Sequence, residues 1–284
     1  MTAQGKHAPE LTALFPEFQS FLYEAAGIYF PLENRERLLG HVQARMDATG
    51  KRTPKEYLAL LNTSRGRGSE QWAFFNQTTV NETFFFRDDV QFAVFKDKLL
   101  PELLQLRRRN RQRKLNILSA ASSSGEEAYS LAILIQQQFP MEQNFVSITG
   151  VDINSDVIDR AKEGLYNRYS VRNCSPQQLG VYFTPEGDKY RVKPDVKQMV
   201  SFQVVNLIDP GSLRGLPRPD LILCRNALIY FDKESKLKVI QAFASVLQPH
   251  GTLILGRTES LFGLDHPFNL VHFLRSCGYR LKTK

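Results

Sequence analysis

Cysteine and metal-ligand motifs are scarce in this sequence. Its 284 residues include three cysteines and five histidines. The cysteines, Cys174, Cys224 and Cys277, lie far apart and form no CxxC pair, which disfavours a disulfide framework and a thiolate zinc site. No HExxH string is present. We therefore predict a protein of a reducing compartment that holds no metal ion.

Long apolar runs are also lacking. No run approaches the roughly 20 residues that a membrane-spanning helix needs, and the longest candidate, Leu221 to Phe231, is interrupted by Arg225. The segment MTAQGKHAPELT has no apolar core, so we expect no secretory signal. These features predict a cytoplasmic protein without direct membrane insertion. With 42% hydrophobic and 23% charged residues, the composition is typical of one or two globular domains.

Positive charge is in excess and is concentrated in two segments. The chain has 37 Lys and Arg against 29 Asp and Glu. Residues 107–114 (RRRNRQRK) hold six cations and no acid, and residues 34–55 hold six cations and two acids. Such surfaces attract nucleic acid, anionic membranes or acidic proteins. Residues 107–114 fit a solvated helix end, or a patch for an anionic partner. The lack of interleaved aromatics there weakens a single-stranded nucleic-acid interpretation.

The first 80 residues have helical patterning. Apolar side chains recur at helical spacing between residues 15 and 25, and again after Asn34, which is a candidate cap for a second helix. Thr53 and Pro54 fit the cap and first turn of a third helix. We predict a helical N-terminal domain over residues 1–80 and a long amphipathic helix at about 88–107.

From residue 115 onward, candidate strands alternate with candidate helices. This alternation predicts an α/β fold with a doubly wound, mainly parallel sheet of the Rossmann-like type. Ser155 is a candidate cap for the helix after the second strand, and a small β insertion is predicted at about 177–200. The five candidate strands are Leu115 to Ser119, Phe145 to Asp152, Val200 to Leu207, Asp220 to Cys224 and Gly251 to Gly256.

The first strand leads into a loop of small residues that opens a helix. Residues 119–125 (SAASSSG) let the backbone approach a ligand closely, but the GxGxxG pattern of dinucleotide binders is absent. Glu126 and Glu127 follow directly; alone they fit helix-start acids, but they would also repel a pyrophosphate and attract a cation. This favours S-adenosylmethionine, which carries an ammonium and a sulfonium and no phosphate, over NAD or ATP.

Further polar residues follow the other candidate strands. Asp152 ends the second strand, where an acid can accept both hydroxyls of a ribose. Asn206-Leu207 closes the third strand, where an amide could meet an adenine edge, and Asn226-Ala227 follows the fourth. Each residue alone is equally typical of a turn. Their common position at the carboxyl edge of one sheet predicts a nucleoside-cofactor site.

The string NETFFFR (residues 81–87) lies between the helical part and the sheet. Its three consecutive phenylalanines predict a segment packed at a domain junction. Asn81, Thr83 and Arg87 flank or interrupt them. An arginine in such a segment needs an anionic partner, which is either a structural acid or a bound carboxylate.

Four strings in this order resemble the chemotaxis-receptor methyltransferases, the CheR family: NETFFFR, SAASSSGEEAYS, GVDIN and CRNALIYFD. The likeness covers nearly the whole chain. It implies a class I methyltransferase sheet over residues 81–284, S-adenosylmethionine as methyl donor and S-adenosylhomocysteine as product. It also implies that the acceptors are glutamate side chains on the cytoplasmic helical bundle of a chemoreceptor, in chemosensory adaptation.

The resemblance also implies roles for single residues. Arg87 and Tyr230 would lie near the transferred methyl group and act in catalysis. Glu127 would hold the amino-acid part of the cofactor, and Asp152 would hold its ribose. The implied cofactor contacts are Asn81, Thr83, Arg87, Glu127, Asp152, Asn206, Leu207, Asn226 and Ala227.

The partner is expected to be an acidic receptor helix, recognised by the basic stretch 34–55 through Arg35, Arg45 and Arg52. Some family members dock a receptor C-terminal pentapeptide on a longer, glycine-rich insertion. The stretch around Gly187 is short and glycine-poor, so we expect independence from that docking. We also expect a monomer.

Two other functions remain open on the sequence alone. A nucleic-acid methyltransferase would share the sheet and cofactor, but RNALIY stands where amino-directed DNA enzymes usually carry [DN]PP[YF]. An RNA 2′-O-type Lys-Asp-Lys-Glu set is not recognisable either. A non-catalytic cofactor-binding module is the second alternative, and the intact Arg87 motif argues against it.

Overall fold

The computed structural model describes residues 9–63, 70–209, 211–273 and 276–282. Across these ranges, no helix has both the length and the apolar character needed to cross a bilayer. The N-terminal part is helical. Within its described residues the helices are α1 (Pro9–Ala13), α2 (Phe15–Ala26), α3 (Arg35–Thr49), α4 (Pro54–Asn62) and α5 (Glu70–Thr78).

Of the helix caps predicted from the sequence, one is confirmed by the structure and one makes no capping hydrogen bond. Thr53 caps α4, since its hydroxyl accepts from the Glu56 N–H while the Glu56 side chain accepts from the Thr53 N–H. This confirms the predicted cap with Pro54 as first helical residue. Gly27 ends α2 with φ of 69°, a conformation that suits glycine. Asn34 precedes α3, but its side chain makes no capping hydrogen bond, because a 3₁₀ turn (Leu32–Asn34) leads directly into the helix.

The predicted helix at 88–107 is present, with a local change of winding. It runs as α6 (Asp89–Val94), a π-helical turn (Phe95–Leu99) and α7 (Leu100–Arg109). Pro101 lies in the first turn after the π segment and cannot donate to the carbonyl four residues earlier. The wider turn before it is therefore the local solution to a missing donor.

The described residues of the C-terminal part form two sheets. The larger sheet has the order β6-β2-β1-β7-β8-β10-β9, with its first five strands parallel. The smaller one has the order β3-β5-β4 and is antiparallel. The strands are β1 (Leu115–Ala120), β2 (Val146–Asp152), β3 (Leu165–Tyr166), β4 (Phe183–Glu186), β5 (Lys189–Val192), β6 (Val200–Val204), β7 (Leu221–Cys224), β8 (Thr252–Leu255), β9 (Phe268–Phe273) and β10 (Ser276–Leu281).

The connections place helices on both faces of the larger sheet, so the fold is doubly wound as predicted. Ala120 pairs with Val151 on one side and with Cys224 on the other, which aligns the carboxyl ends of the central strands. The helices between the strands are α8 (Glu126–Gln138), α9 (Ser155–Glu163), α10 (Pro176–Tyr182), α11 (Pro194–Lys197) and α12 (Lys233–Val246).

Two local predictions differ from the structure. Asn154, not Ser155, caps α9, because its Oδ1 accepts from the Val157 N–H at 3.1 Å while the Ser155 hydroxyl accepts from Asn76. In the predicted β insertion, the first residues are helical, since α10 extends to Tyr182. Ser175 starts that helix through a capping box, and strand structure begins only at Phe183.

The helical part has its own hydrophobic core, formed around Phe18, Tyr57 and Phe74. Several contacts then join it to the carboxyl edge of the sheet, among them hydrogen bonds from Asn76 to the residues that start α9. Ile28 forms a β-bridge with Phe231, Tyr23 donates to Asp232 at 3.0 Å, and Asn206 donates to the Ala25 carbonyl at 2.7 Å. The N-terminal helices therefore lie against the edge where the strands end.

Candidate active site

A cleft of about 190 Å³ lies at this edge, between the helical part and the sheet. Its position follows from the topology, since the parallel strands end together and open α/β sheets bind ligands there. Polar groups from several strand ends converge on it, which is the pattern of a ligand site. Its walls come from residues 28–30, 78–84, 121–123, 152–153, 225–227 and 229–231, with single residues from elsewhere.

The loop after β1 forms the floor of the cleft with a strained backbone. Ala121 and Ser123 have φ of 55° and 49°, values that non-glycine residues rarely adopt. The Ser122 hydroxyl is buried and has no hydrogen-bond partner within the described part of the chain. Gly125 follows with φ of 89° and opens α8. A small-residue loop, as predicted, thus borders the cleft and holds one buried polar atom without a partner.

The two glutamates that open α8 have different environments. Glu127 borders the cleft, where it accepts from the Ser119 hydroxyl at 2.7 Å and pairs with Arg225 at 3.0 Å. Glu126 is buried away from it and accepts from the hydroxyls of Ser124 and Ser170. Burial raises the pKa of Glu126. Only Glu127 is placed to meet a ligand.

Arg225, which the sequence showed only as an interruption of an apolar run, organises this part of the site. Its buried guanidinium donates to the Gln91 side chain and to the Arg87 carbonyl, each at 2.6 Å. With the Glu127 ion pair, these bonds connect the end of β7 to α8 and to the upstream motif. A signal was present, because an arginine inside a buried run requires acceptors.

Asp152 ends β2 with its carboxylate at the cleft. One oxygen accepts from the Ser123 N–H and the other from the Asn154 N–H, both at 2.9 Å. Burial nevertheless raises the pKa of Asp152. Each oxygen retains a lone pair, so the carboxylate is able to accept two further hydrogen bonds from a diol.

The backbone at the end of β7 is held by a residue that sequence reasoning missed. Asn226 borders the cleft with φ of 56°. Glu259 Oε2 accepts from the Asn226 N–H at 2.8 Å and from the Gly256 N–H at 2.7 Å. The other Glu259 oxygen is buried and unpartnered within the described residues. Ala227 also lines the cleft.

Three carboxylates act together at this strand end. Burial raises the pKa of the Cys224 thiol well above its ordinary value, and the charges of Glu259, Glu127 and Asp152 raise it further. The buried guanidinium of Arg225 is ion-paired with Glu127 there. Among the described residues the cleft lining holds three Asp or Glu and three Arg side chains, so negative charge is local to the strand ends, where Glu127 and Asp152 suit a cationic group of a ligand.

The upstream motif contributes Asn81, Thr83 and Arg87 to the cleft wall. The Ser123 hydroxyl donates to the Asn81 carbonyl at 3.1 Å, which attaches the motif to the β1 loop. Arg87 donates to the Glu82 carbonyl at 2.7 Å, and among the described residues no carboxylate forms an ion pair with it. The structural-acid alternative for Arg87 is therefore not supported by the structure.

Its phenylalanines pack as a domain junction requires. Phe85 is fully buried and contacts the rings of Tyr166 and Phe183 edge-on. Phe86 packs against Phe92, while Phe84 borders the cleft. The burial of Phe85 and the packing of Phe86 fix the backbone that carries Arg87.

Asn206 follows the end of β6, and its side chain is hydrogen-bonded outside the cleft lining. Its side-chain NH₂ donates to the Ala25 carbonyl at 2.7 Å, and its oxygen accepts from the Ile208 N–H. The last carbonyls of a helix need donors, and Asn206 supplies one to the end of α2. Leu207 lines the cleft instead. Tyr230 ends a 3₁₀ turn (Leu228–Tyr230) and borders the cleft mouth with an exposed side chain.

The three basic recognition candidates also have different environments. Arg52 is exposed, and Arg35 contacts Glu36 at 3.3 Å. Arg45 is instead occupied by the buried Glu70, at 2.6 Å. Glu70 also accepts from the Tyr57 hydroxyl at 2.8 Å, so this network joins α3, α4 and α5. Arg45 has a structural partner because a buried carboxylate needs one.

Comparisons with known proteins agree with this geometry. Residues 13–79 match the family described as "CheR methyltransferase, all-alpha domain", and residues 81–276 match "CheR methyltransferase, SAM binding domain". Chemotaxis protein methyltransferase 1 of Vibrio cholerae is 42% identical over 209 residues, covering 72% of this chain and 74% of that protein. The chemotaxis protein methyltransferase of Vibrio anguillarum is 36% identical over 274 residues, covering 94% of this chain and 96% of that protein.

A relative from Escherichia coli, also a chemotaxis protein methyltransferase, is 30% identical over 263 residues and covers 91% of this chain and 88% of that protein. Both matched families and the relatives span most of the sequence. The two carboxylates at the strand ends, Glu127 and Asp152, agree with a sulfonium cofactor. The chain therefore belongs to the CheR methyltransferase family and is an S-adenosylmethionine-dependent chemotaxis protein methyltransferase.

Proposed function

We propose that this protein methylates glutamate side chains on the cytoplasmic helical bundle of a chemoreceptor, forming methyl esters in adaptation. The proposal rests on the position and the hydrogen bonding of Arg87. Its side chain borders the cleft and donates to a neutral carbonyl, with no carboxylate paired to it among the described residues. A guanidinium in that position binds a carboxylate better than any neutral acceptor. This supports a carboxylate as the acceptor group.

The cleft residues fit the methyl donor. Glu127 has the charge to hold an ammonium, and Asp152 retains lone pairs for two ribose hydroxyls. The unpartnered Ser122 hydroxyl lies beside them. Asn81, Thr83, Leu207, Asn226 and Ala227 complete the wall around these groups.

The chain needs little acid–base chemistry for this reaction. When bound, S-adenosylmethionine supplies an electrophilic methyl group. A free glutamate side chain has a pKa near 4.3 and is already ionised at neutral pH, so no general base is required. Arg87 and Tyr230 orient the carboxylate, and the surrounding side chains exclude water. Too strong an Arg87 pair would stabilise the ground state and slow transfer.

The partner is an acidic receptor helix that approaches the N-terminal helices in the cytoplasm, where the protein acts as a monomer. Within the basic stretch, Arg52 is exposed and Arg35 is half-buried beside Glu36, and both are placed here at the contact with the receptor. Replacing both with Ala should raise the KM for receptor and flatten its salt dependence. Arg45→Ala should instead lower stability, because it leaves Glu70 buried without its cation.

The shortness of the β insertion supports the proposal that methylation does not require docking of a receptor tail peptide. Its β4–β5 connection has only two residues, Gly187 and Asp188, between the strands. A receptor fragment lacking its last five residues should be methylated at the rate of the full-length fragment. A clear loss of rate on truncation would contradict docking independence.

The function is tested with methyl-labelled cofactor and purified receptor cytoplasmic fragments. Base-labile label on receptor glutamate is expected, and label on nucleic acid would contradict the proposal. Arg87→Ala should lower kcat by about a hundredfold, the range observed for lost electrostatic stabilisers. The affinity of this variant for S-adenosylhomocysteine is measured by calorimetry. An unchanged affinity would assign Arg87 to substrate positioning, and a lowered affinity would assign it to cofactor binding. Binding of the cofactor without any transfer by the wild-type protein would favour a non-catalytic module.

A further inference from the structure

Four large apolar side chains are exposed around the mouth of the cleft. They are Tyr29 at 50%, Val80 at 47%, Ile229 at 52% and Tyr230 at 41% of full exposure. All four also line the cleft. We call these four residues the rim. Single exposed apolar residues are common on protein surfaces, whereas a group around one opening is typical of an interaction site.

The rim is assembled from separate parts of the chain. Tyr29 follows α2, Val80 follows α5, and Ile229 and Tyr230 belong to the 3₁₀ turn after β7. The bridge between Ile28 and Phe231 holds the first and last of these segments together. The rim therefore exists only when the helical part lies against the sheet, and it surrounds the same opening that Arg87 borders.

A basic side chain adjoins the rim. Arg37 on α3 is exposed and lines the cleft, and its guanidinium carbon lies 5.2 Å from the centre of the Phe30 ring. That ring contact holds the cation at the opening. Arg35, Arg45 and Arg52, the basic candidates taken from the sequence, do not line the cleft. Arg37 is thus the cation of α3 positioned where an acceptor must enter.

We infer that the rim and Arg37 dock the helical segment that carries the acceptor glutamate. The inference rests on the proposed function and specifies the chemistry of its partner. Apolar side chains one helical turn from the glutamate would cover Ile229 and Tyr29, since residues three or four positions apart share a face. An acidic side chain of the same helix would meet Arg37. The recognised segment is an amphipathic helix that combines apolar and acidic residues beside the acceptor.

The test uses Ile229→Asp and Arg37→Glu in the full-length protein. Each should raise the KM for a receptor cytoplasmic fragment about tenfold, which is the loss expected for a central interface residue. Calorimetry with S-adenosylhomocysteine should give a Kd within twofold of wild type for both variants. The thermal midpoint should also stay unchanged, since both side chains are exposed.

Matched controls are available elsewhere on the surface. Phe262 is 97% exposed and does not line the cleft, so Phe262→Asp repeats the chemistry of Ile229→Asp away from the rim. Arg109 is exposed at the end of α7, before β1 and therefore at the opposite edge of the sheet, so Arg109→Glu controls for charge reversal. Both control variants should keep the wild-type receptor KM.

The outcomes distinguish the two proposals. Failure of the wild-type protein to label receptor would overturn the proposed function, and the rim with it. An active wild type whose rim variants keep the receptor KM would overturn the rim alone. A rise in the Kd for S-adenosylhomocysteine equal to the rise in receptor KM would assign Ile229 and Arg37 to the cofactor site, which also overturns the rim.

Discussion

At the end of β7, one oxygen of Glu259 accepts two backbone hydrogen bonds, from Asn226 at 2.8 Å and from Gly256 at 2.7 Å. Asn226 needs this support because its backbone is left-handed, with φ of 56°. Removing a buried acceptor leaves its donors unpaired, at a cost of about 1–3 kcal/mol each. Glu259 thus positions the segment that borders the cleft without belonging to its lining.

We therefore expect Glu259→Ala to weaken binding of S-adenosylhomocysteine about tenfold in calorimetry, equivalent to about 1.4 kcal/mol. Glu259→Gln keeps an acceptor of the same length and should restore most of the affinity. Equal loss in both variants would contradict a role through backbone positioning. Thermal denaturation of each variant separates this effect from general unfolding.

Glu126 gives a prediction about pH. Burial raises its pKa above the ordinary value, so the folded protein binds this proton more tightly than the unfolded chain does. The associated stability is fully present below about pH 4.5 and is lost as pH rises through the folded pKa. Asp152 acts in the same direction, since its pKa is also raised.

Glu126→Gln should accordingly show a smaller fall in the free energy of unfolding between pH 4 and pH 8 than the wild type. Urea titrations across that range measure it. If the free energy of unfolding of the variant changed with pH as it does in the wild type, Glu126 would not contribute to the pH dependence of stability. Part of the decrease in the free energy of unfolding with rising pH should persist in the variant, because Asp152 is unchanged.

Single residues were predictable from sequence when their surroundings were local. The placement of Asp152 at a strand end and of Glu127 at a helix start follows from nearby sequence, and both line the cleft. Asn206 was predicted to contact the cofactor and Arg45 the receptor, and sequence alone did not show their partners Ala25 and Glu70, which lie far away along the chain. Glu259 carries no local signal, because its role depends on a turn brought to it by folding.

Among the elements, the β1 loop and α8 meet at Gly125. A Cβ atom there would lie 2.7 Å from the Phe202 ring and 2.9 Å from the Ala161 side chain, and φ is 89°. Gly125→Ala therefore combines a left-handed penalty with overpacking and should reduce stability by at least about 2 kcal/mol. Chemical denaturation measures this change.

Gly40 in α3 is the matched control. A Cβ atom at Gly40 would have no neighbour within 4 Å, and the residue is helical. Gly40→Ala should raise stability by about 0.5–1 kcal/mol, because alanine is the better helix former. If both substitutions changed stability in the same direction, the close packing around Gly125 would not explain the stability lost in Gly125→Ala.

The predictability of whole elements depended mainly on burial. β1, β2, β7 and β8 are buried apolar runs and were expected, as was the mostly exposed β6; β9 and β10 were not. β9 is largely exposed, so its apolar pattern is weak, and β10 contains Gly278, whose Cβ position lies 2.7 Å from Ile254. The π turn before Pro101 could not be predicted from the spacing of apolar residues. One missing backbone donor changes the local helix winding but leaves the apolar face of the helix the same.

On the scale of the whole molecule, the helical part and the sheet have separate hydrophobic cores. They share the walls of the cleft, which include Ile28 to Phe30 on one side and Ala121 to Ser123 on the other. A ligand in the cleft therefore stabilises the contact between the two parts as well as each part. The contacts of Asn206, Tyr23 and Asn76 are polar links that make this coupling possible.

Saturating S-adenosylhomocysteine should raise stability by about 2.7 kcal/mol at a concentration of one hundred times Kd. Because the cleft spans both parts, thermal denaturation should show one shifted transition, and hydrogen exchange should show added protection in α2 as well as in the β1 loop. Asn206→Ala removes the donor to the end of α2. The protection gained by α2 should shrink in that variant while the protection of the β1 loop is kept. Equal loss at both places would mean that Asn206 acts on the ligand directly, and no ligand-induced protection of α2 in the wild type would contradict the coupling.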